Sequence, residues 1–183
     1  MTAYLSPSAF WGLLISAVEV YKRECFGLLI GYRDRRGPGE EESFIVEHAL
    51  PYQSAGRKHR GVVSNPRAHR RIERFLRNIP QLSVIGDFHS HTMWGYNRAA
   101  SHPSDTDRQG MVRENVYIIV SINDRLREVR WNYNDDGSLS GTTDDHYFRL
   151  TAYTVNASGE ARRMSIVCPY AIGFDARPLR AIK

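Results

Sequence analysis

The residues of this chain best suited to chemistry lie in two short runs, His89-Ser90-His91 and Ser104-Asp105-Thr106-Asp107. Side chains alternate sides along an extended segment, so His89 and His91 share one face. An aspartate later in the chain can complete a three-ligand site and leave a fourth position to water. Two imidazoles, one carboxylate and one open position form the donor set of a catalytic zinc centre rather than a closed structural one. The preceding run, Leu82 to Phe88, reads as a buried strand that delivers both histidines to an edge.

A distant partner strengthens the motif. Glu24 opens the run Glu24-Cys25-Phe26-Gly27-Leu28-Leu29-Ile30-Gly31. With it, the sequence resembles the JAMM metalloproteases, also called the JAB1/MPN/Mov34 family, in a prokaryotic-like single-domain form. The family pattern is a Glu before a Gly-Leu-Leu-x-Gly-like strand, then His-x-His, then Ser-x-x-Asp. Glu24, His89, His91, Ser104 and Asp107 match it in order, and Pro103 precedes the serine as in the family. The likeness runs from about Ser6 to Asn123, judged by motif order and by the strand and helix pattern.

The resemblance implies an MPN (cytidine-deaminase-like) α/β fold, one Zn2+ per chain held by His89, His91 and Asp107, and Glu24 as general base and acid. It points to Asp107 rather than Asp105 by spacing from Ser104. Ser104 and Asp107, three residues apart, lie on one side of a helical turn, so the Ser104 hydroxyl can face an oxyanion while Asp107 holds the metal. As a plainer alternative, Ser104 is only a helix N-cap. The implied activity is a zinc peptidase or isopeptidase cutting after the C-terminus of ubiquitin-like or sulfur-carrier proteins. The loop between the second histidine and the serine departs from the pattern. It is longer than in the family, twelve residues from Thr92 to Pro103. Trp94 and Tyr96 within it either grip an extended peptide or anchor the loop to the body.

Other residues are read plainly. His102 is a loop histidine, with a fourth-ligand role as the alternative. Asp87 is taken to point off the ligand face unless the strand bulges. His48, His59, His69 and His146 show no ligand spacing. Cys25 and Cys168 build neither a disulfide framework nor a thiolate site and are read as small buried hydrophobes.

These groups need a scaffold. Ser6-Pro7 signals a helix start, and apolar spacing carries that helix to about Arg23. Strands are expected over Cys25 to Asp34 and Ser43 to Leu50, with a turn at Arg36-Gly37-Pro38-Gly39. Asn65-Pro66 starts a second helix, with Ile72, Phe75, Leu76 and Ile79 as its apolar face and Pro80 as its end. Ser104 caps a short helix to about Asn115. The β-branched run Val116 to Ile122 reads as a central strand. Arg125 to Tyr133 and His146 to Val155 read as strands flanking a turn at Asn134 to Gly137, and Ala161 to Pro169 as a last strand. The expected architecture is a mixed sheet flanked by two long helices and a short metal-bearing helix. It makes one domain over residues 1–183, with 170–183 as a mobile tail.

Composition narrows the function classes. Hydrophobic residues make up 42% and charged residues 25%, the balance of an ordinary soluble domain. The apolar stretch Ala9 to Ile15 is too short to span a bilayer and lacks a basic leader, so a cytoplasmic, non-membrane chain is expected. The net charge of +5 concentrates in Arg57-Lys58-His59-Arg60 and in Arg67, Arg70, Arg71, Arg74 and Arg77. A solvated helix face is the preferred reading, because the aromatic interleaving of a single-strand binding surface is missing. The alternatives to a hydrolase are a non-catalytic MPN scaffold and a nucleic-acid-binding module on the arginine-rich helix.

Overall fold

A computed structural model describes residues 1–34, 42–53, 56–57, 62–63 and 65–173. The turn expected at Arg36 to Gly39, the basic residues Lys58 to Arg60 and the tail from Phe174 lie outside them. The elements in order are β1 (Thr2–Leu5), α1 (Pro7–Glu19), β2 (Phe26–Asp34), β3 (Ser43–Pro51), β4 (Gly56–Arg57), β5 (Val62–Val63), α2 (Pro66–Leu76) and β6 (Ser83–Thr92). There follow α3 (Asp105–Gly110), β7 (Val116–Asp124), β8 (Asn132–Tyr133), β9 (Leu139–Thr143), β10 (His146–Val155), β11 (Ala161–Val167) and α4 (Pro169–Ile172). No helix among the described residues is long and apolar enough to cross a membrane.

The sheet runs β11-β1-β3-β2-β6-β7-β10-β9-β8 and closes on itself, because the second half of β10 also pairs with β11. The first half of that edge of β10 takes β9 instead. Inside the closed sheet, α1 buries Phe10, Leu13, Leu14 and Ala17 against Phe44, Val46, Ile118 and Trp131. Ser6 caps α1 by accepting from Ala9 N at 3.0 Å, as its position before Pro7 led one to expect. The helix stops at Glu19, short of Arg23, and the chain turns through Lys22 at φ 74° into β2.

On the outer face, α2 covers only part of the sheet. Its Ala68, Ile72 and Leu76 pack on Leu28, Ile30 and Val84. Phe75, expected in that apolar face, is 66% exposed. Its azimuth falls to one side of the buried residues, and the helix ends before Ile79 can widen the contact. Other expectations are also corrected. Arg125 to Trp131 forms no continuous ladder: Arg125 N donates to Asp145 O and Val129 O accepts from Thr142 N, and only Asn132–Tyr133 forms β8. The hairpin partner of β10 is β9, joined through Asp144 at φ 52°. β1 is an added strand, parallel to both β3 and β11. The helix after Ser104 ends at Gly110.

The strand carrying the histidines owes its orientation to a bulge. Ile30 pairs with Val84 but Leu29 with Gly86, so Ile85 is the extra residue. The bulge switches the alternation: Val84 faces outward while Ile85 and Phe88 both join the inner core. His89 and His91 therefore emerge on the outer face. Gly86 is required there, because a Cβ would stand 1.7 Å from the Val116 carbonyl oxygen. Gly86→Ala is expected to destabilise the fold by more than about 4 kcal/mol, since two backbones must part. Urea denaturation checks this, and a midpoint equal to that of the parent would show that β6 and β7 separate there freely.

Candidate metal centre

The expected ligands converge. His89 and His91 leave the end of β6, where it lies between β2 and β7. Asp107 sits in the first turn of α3, which Ser104 caps in a full capping box. Ser104 N and Oγ each donate to Asp107 Oδ2 at 2.7 Å, and Asp107 N donates back to Ser104 Oγ at 3.2 Å. Oδ2 is thereby held, and Oδ1 is turned toward His89 Nε2 at 3.4 Å. His91 Nε2 lies 3.5 Å from Oδ2 and 3.1 Å from His89 Nε2.

These separations test the fit of a metal. Ligand atoms about 2.1 Å from a tetrahedral zinc stand about 3.4 Å apart. Here the two imidazole nitrogens stand 3.1 Å apart, and the Asp107 carboxylate brings Oδ1 to 3.4 Å from His89 and Oδ2 to 3.5 Å from His91. Each of the three residues offers one donor atom, and all of these fall within 4.8 Å of one another. Two imidazole nitrogens and a carboxylate at this spacing fit a divalent ion. His102 and Asp105 are exposed and lie outside the group. His48 contacts Ser8 Oγ, His69 contacts Glu73, and His146 packs on Tyr21. His59 lies outside the described residues. Both cysteines are buried and outside any disulfide, as read.

The imidazoles are oriented by groups that the motif does not contain. His91 Nδ1 faces the Ala100 carbonyl oxygen at 2.9 Å, which fixes the tautomer that leaves Nε2 as the ligand atom. Ser121 Oγ donates to the same carbonyl at 2.7 Å, and Asn123 Oδ1 accepts from Ala99 N at 2.8 Å. The return arm of the 92–103 loop is thus fastened to β7. Its outgoing arm makes a small bridge between Trp94 and Asn97 around Gly95, at φ 57°. That bridge displays Trp94, 62% exposed, and Tyr96, fully exposed, at the tip. The sequence held one signal for these supports. Ser121 and Asn123 are polar residues buried in an otherwise apolar strand, and buried polar groups need partners.

Glu24 lies two residues before the first residue of β2. Phe26 pairs with His89, and Ser90 N donates to Cys25 O at 3.2 Å. Continuing this register sets Glu24 opposite His91, and its charge contributes to the upward shift of the His91 pKa. Burial opposes that shift, while hydrogen bonds to Asp107 and the Ala100 carbonyl drive it. For Asp107 burial also acts in opposition, but His89, His91 and Ser104 hold its carboxyl well below the usual carboxylate range.

Asp87 corrects an expectation. It lies two residues before His89, beyond the bulge, and pairs with the outward-facing Leu28, so it shares the ligand face. Burial pushes its carboxyl up to about 6, with His89 opposing and Asp107 reinforcing the shift. The native state then holds a proton that the unfolded chain releases. This contribution is complete below the ordinary value of 3.8 and is lost as pH rises through about 6. In metal-free protein the loss is on the order of 3 kcal/mol, and Asp87→Asn is expected to remove it. Urea denaturation across this pH range measures the difference, and parallel profiles for the two proteins would refute the titration.

A family model described as prokaryotic homologs of the JAB domain matches residues 12–133. No curated protein matches the sequence. The solution structure of a protein from Desulfitobacterium hafniense is similar at a TM-score of 0.61 and 18% identity, over 91% of this chain and 92% of that one. A solution structure from Salinibacter ruber (strain DSM 13855) gives a TM-score of 0.53 and 19% identity, again over 91% of this chain and 92% of that one. At such identities the likeness speaks for the fold, a mixed α/β arrangement around a closed sheet.

Proposed function

We propose that this chain, which belongs to the prokaryotic homologs of the JAB domain, is a zinc-dependent peptidase or isopeptidase of JAMM type. The observation that carries the reading is the convergence of His89 Nε2, His91 Nε2 and the Asp107 carboxylate within 4.8 Å, with Glu24 next in register. Zinc bound there supplies a water of near-neutral pKa and polarises the substrate carbonyl. The protein residues do the rest. The Glu24 carboxylate takes the proton of the attacking water and hands it to the departing amine nitrogen. The Ala100 carbonyl keeps the His91 ring from turning. Ser104 Oγ, now donating to Asp107 Oδ2, is close enough to the ligands to redirect its proton to a developing oxyanion.

The proposed substrate is the C-terminal glycine tail of a ubiquitin-like or sulfur-carrier protein, joined by an amide or isopeptide bond. Such a tail is narrow and extended, which suits a path past the loop tip to the donor group, with Trp94 or Tyr96 over it. The test presents the zinc-loaded chain with ubiquitin-like fusions bearing a Gly-Gly junction and with short peptides lacking a folded body. Cleavage of the fusion after its glycines is expected. Cleavage of the short peptides alone would reject the isopeptidase reading.

A further inference from the structure

The outward side of α2 carries Arg67, Arg70, Arg71 and Arg74, with Arg77 at its C-cap, and all of them are exposed. Their spacing sets them within about 120° of the helix circumference, along about 15 Å of its axis. The stripe faces away from Ala68, Ile72 and Leu76, which hold the helix to the sheet. The one acid on the helix, Glu73, lies to the side and contacts His69 at 3.5 Å. Among the described residues, no carboxylate pairs with these arginines. Like charges three and four residues apart repel, so the stripe is a surface whose repulsion an anionic partner relieves. Phe75, 66% exposed, lies alongside it.

The stripe also points toward the metal centre. At the start of α2, the Asn65 carbonyl accepts from Tyr52 Oη at 2.8 Å. The Tyr52 ring packs edge-on to Phe26 at 5.9 Å, and Phe26 pairs with His89. At the other end, Leu76 joins Leu82 and Val84, near the beginning of β6. The arginines therefore begin near the rim of the centre and recede from it over the same face of the sheet.

We infer that the α2 stripe is a docking surface for an acidic protein, whose extended end reaches the metal centre; the second clause rests on the proposed function. Guanidinium forks match carboxylates in bidentate pairs. The helix face is convex and carries a single exposed aromatic, whereas single-stranded nucleic acid calls for a series of stacking rings.

The experiment is fluorescence anisotropy on the full-length protein. The probes are a labelled Asp/Glu-rich peptide, its Lys-rich counterpart and a single-stranded oligonucleotide of the same charge as the acidic peptide. The acidic peptide is expected to bind most tightly and to weaken with salt. Arg70→Glu/Arg71→Glu/Arg74→Glu is expected to weaken it about tenfold or more. Arg70→Gln/Arg71→Gln/Arg74→Gln should fall between this variant and the parent. Arg127→Glu/Arg130→Glu/Arg162→Glu, which makes the same charge change at exposed arginines elsewhere, should leave binding largely intact. Tighter binding of the oligonucleotide, no binding of the acidic peptide, or equal losses in the two charge-reversed variants would each overturn the inference. Binding is read without turnover, so a chain that docks the peptide but hydrolyses nothing refutes only the proposed function, and the reverse result refutes only the docking.

Discussion

Glu24→Ala is expected to lower turnover of the zinc-loaded protein by about 10²–10⁴-fold, the usual contribution of a positioned general base, while its zinc content stays at the parent level. The two parts of this result test different things. Glu24 stands before β2 and opposite His91 by register, next to the donor group but not one of its members. Proton transfer is thereby assigned to one residue and ion retention to others. Elemental analysis beside the fusion assay measures both. Loss of zinc in this variant would make Glu24 a ligand, and undiminished turnover would remove it from the reaction.

His91→Ala should give the complementary result: zinc bound at least about 100-fold more weakly, and turnover lost with it. Even groups behind the ligands typically cost 10–100-fold in metal affinity, and His91 supplies one of the three donor atoms itself. The substitution also frees the Ala100 carbonyl from its Nδ1 contact, which loosens the loop. A competitive titration with a chromogenic chelator measures the affinity, and circular dichroism checks the fold. Zinc bound as tightly as by the parent would overturn the ligand assignment.

Much of this centre was legible in the sequence because it obeys short-range rules. Period-two alternation set His89 and His91 on one face, and the Ser-x-x-Asp spacing announced the α3 cap. Val116 to Ile122 read as a strand buried on both sides, and it is one. What the sequence concealed depends on contacts between distant segments. β1 is four residues long and gains its place only between β3 and β11. The closure of the sheet through β10 and β11 has no local signature. Alternation alone, applied correctly, puts Asp87 with the histidines. The Gly86 bulge, in contrast, looks like any glycine until Val116 is seen against it. The solvated side of Phe75 follows from how little of α2 the sheet covers.

The Ala100 carbonyl has a consequence for how this protein can change. The loop that presents Trp94 and Tyr96 outward also returns the oxygen that steadies His91. Reach and grip therefore share one piece of chain. Residues at the tip, such as Tyr96, can be exchanged with little disturbance behind them. A shortened loop must bring another acceptor to the same point or leave the imidazole free to swivel. Composition can drift at the tip, while the stem is answerable to His91.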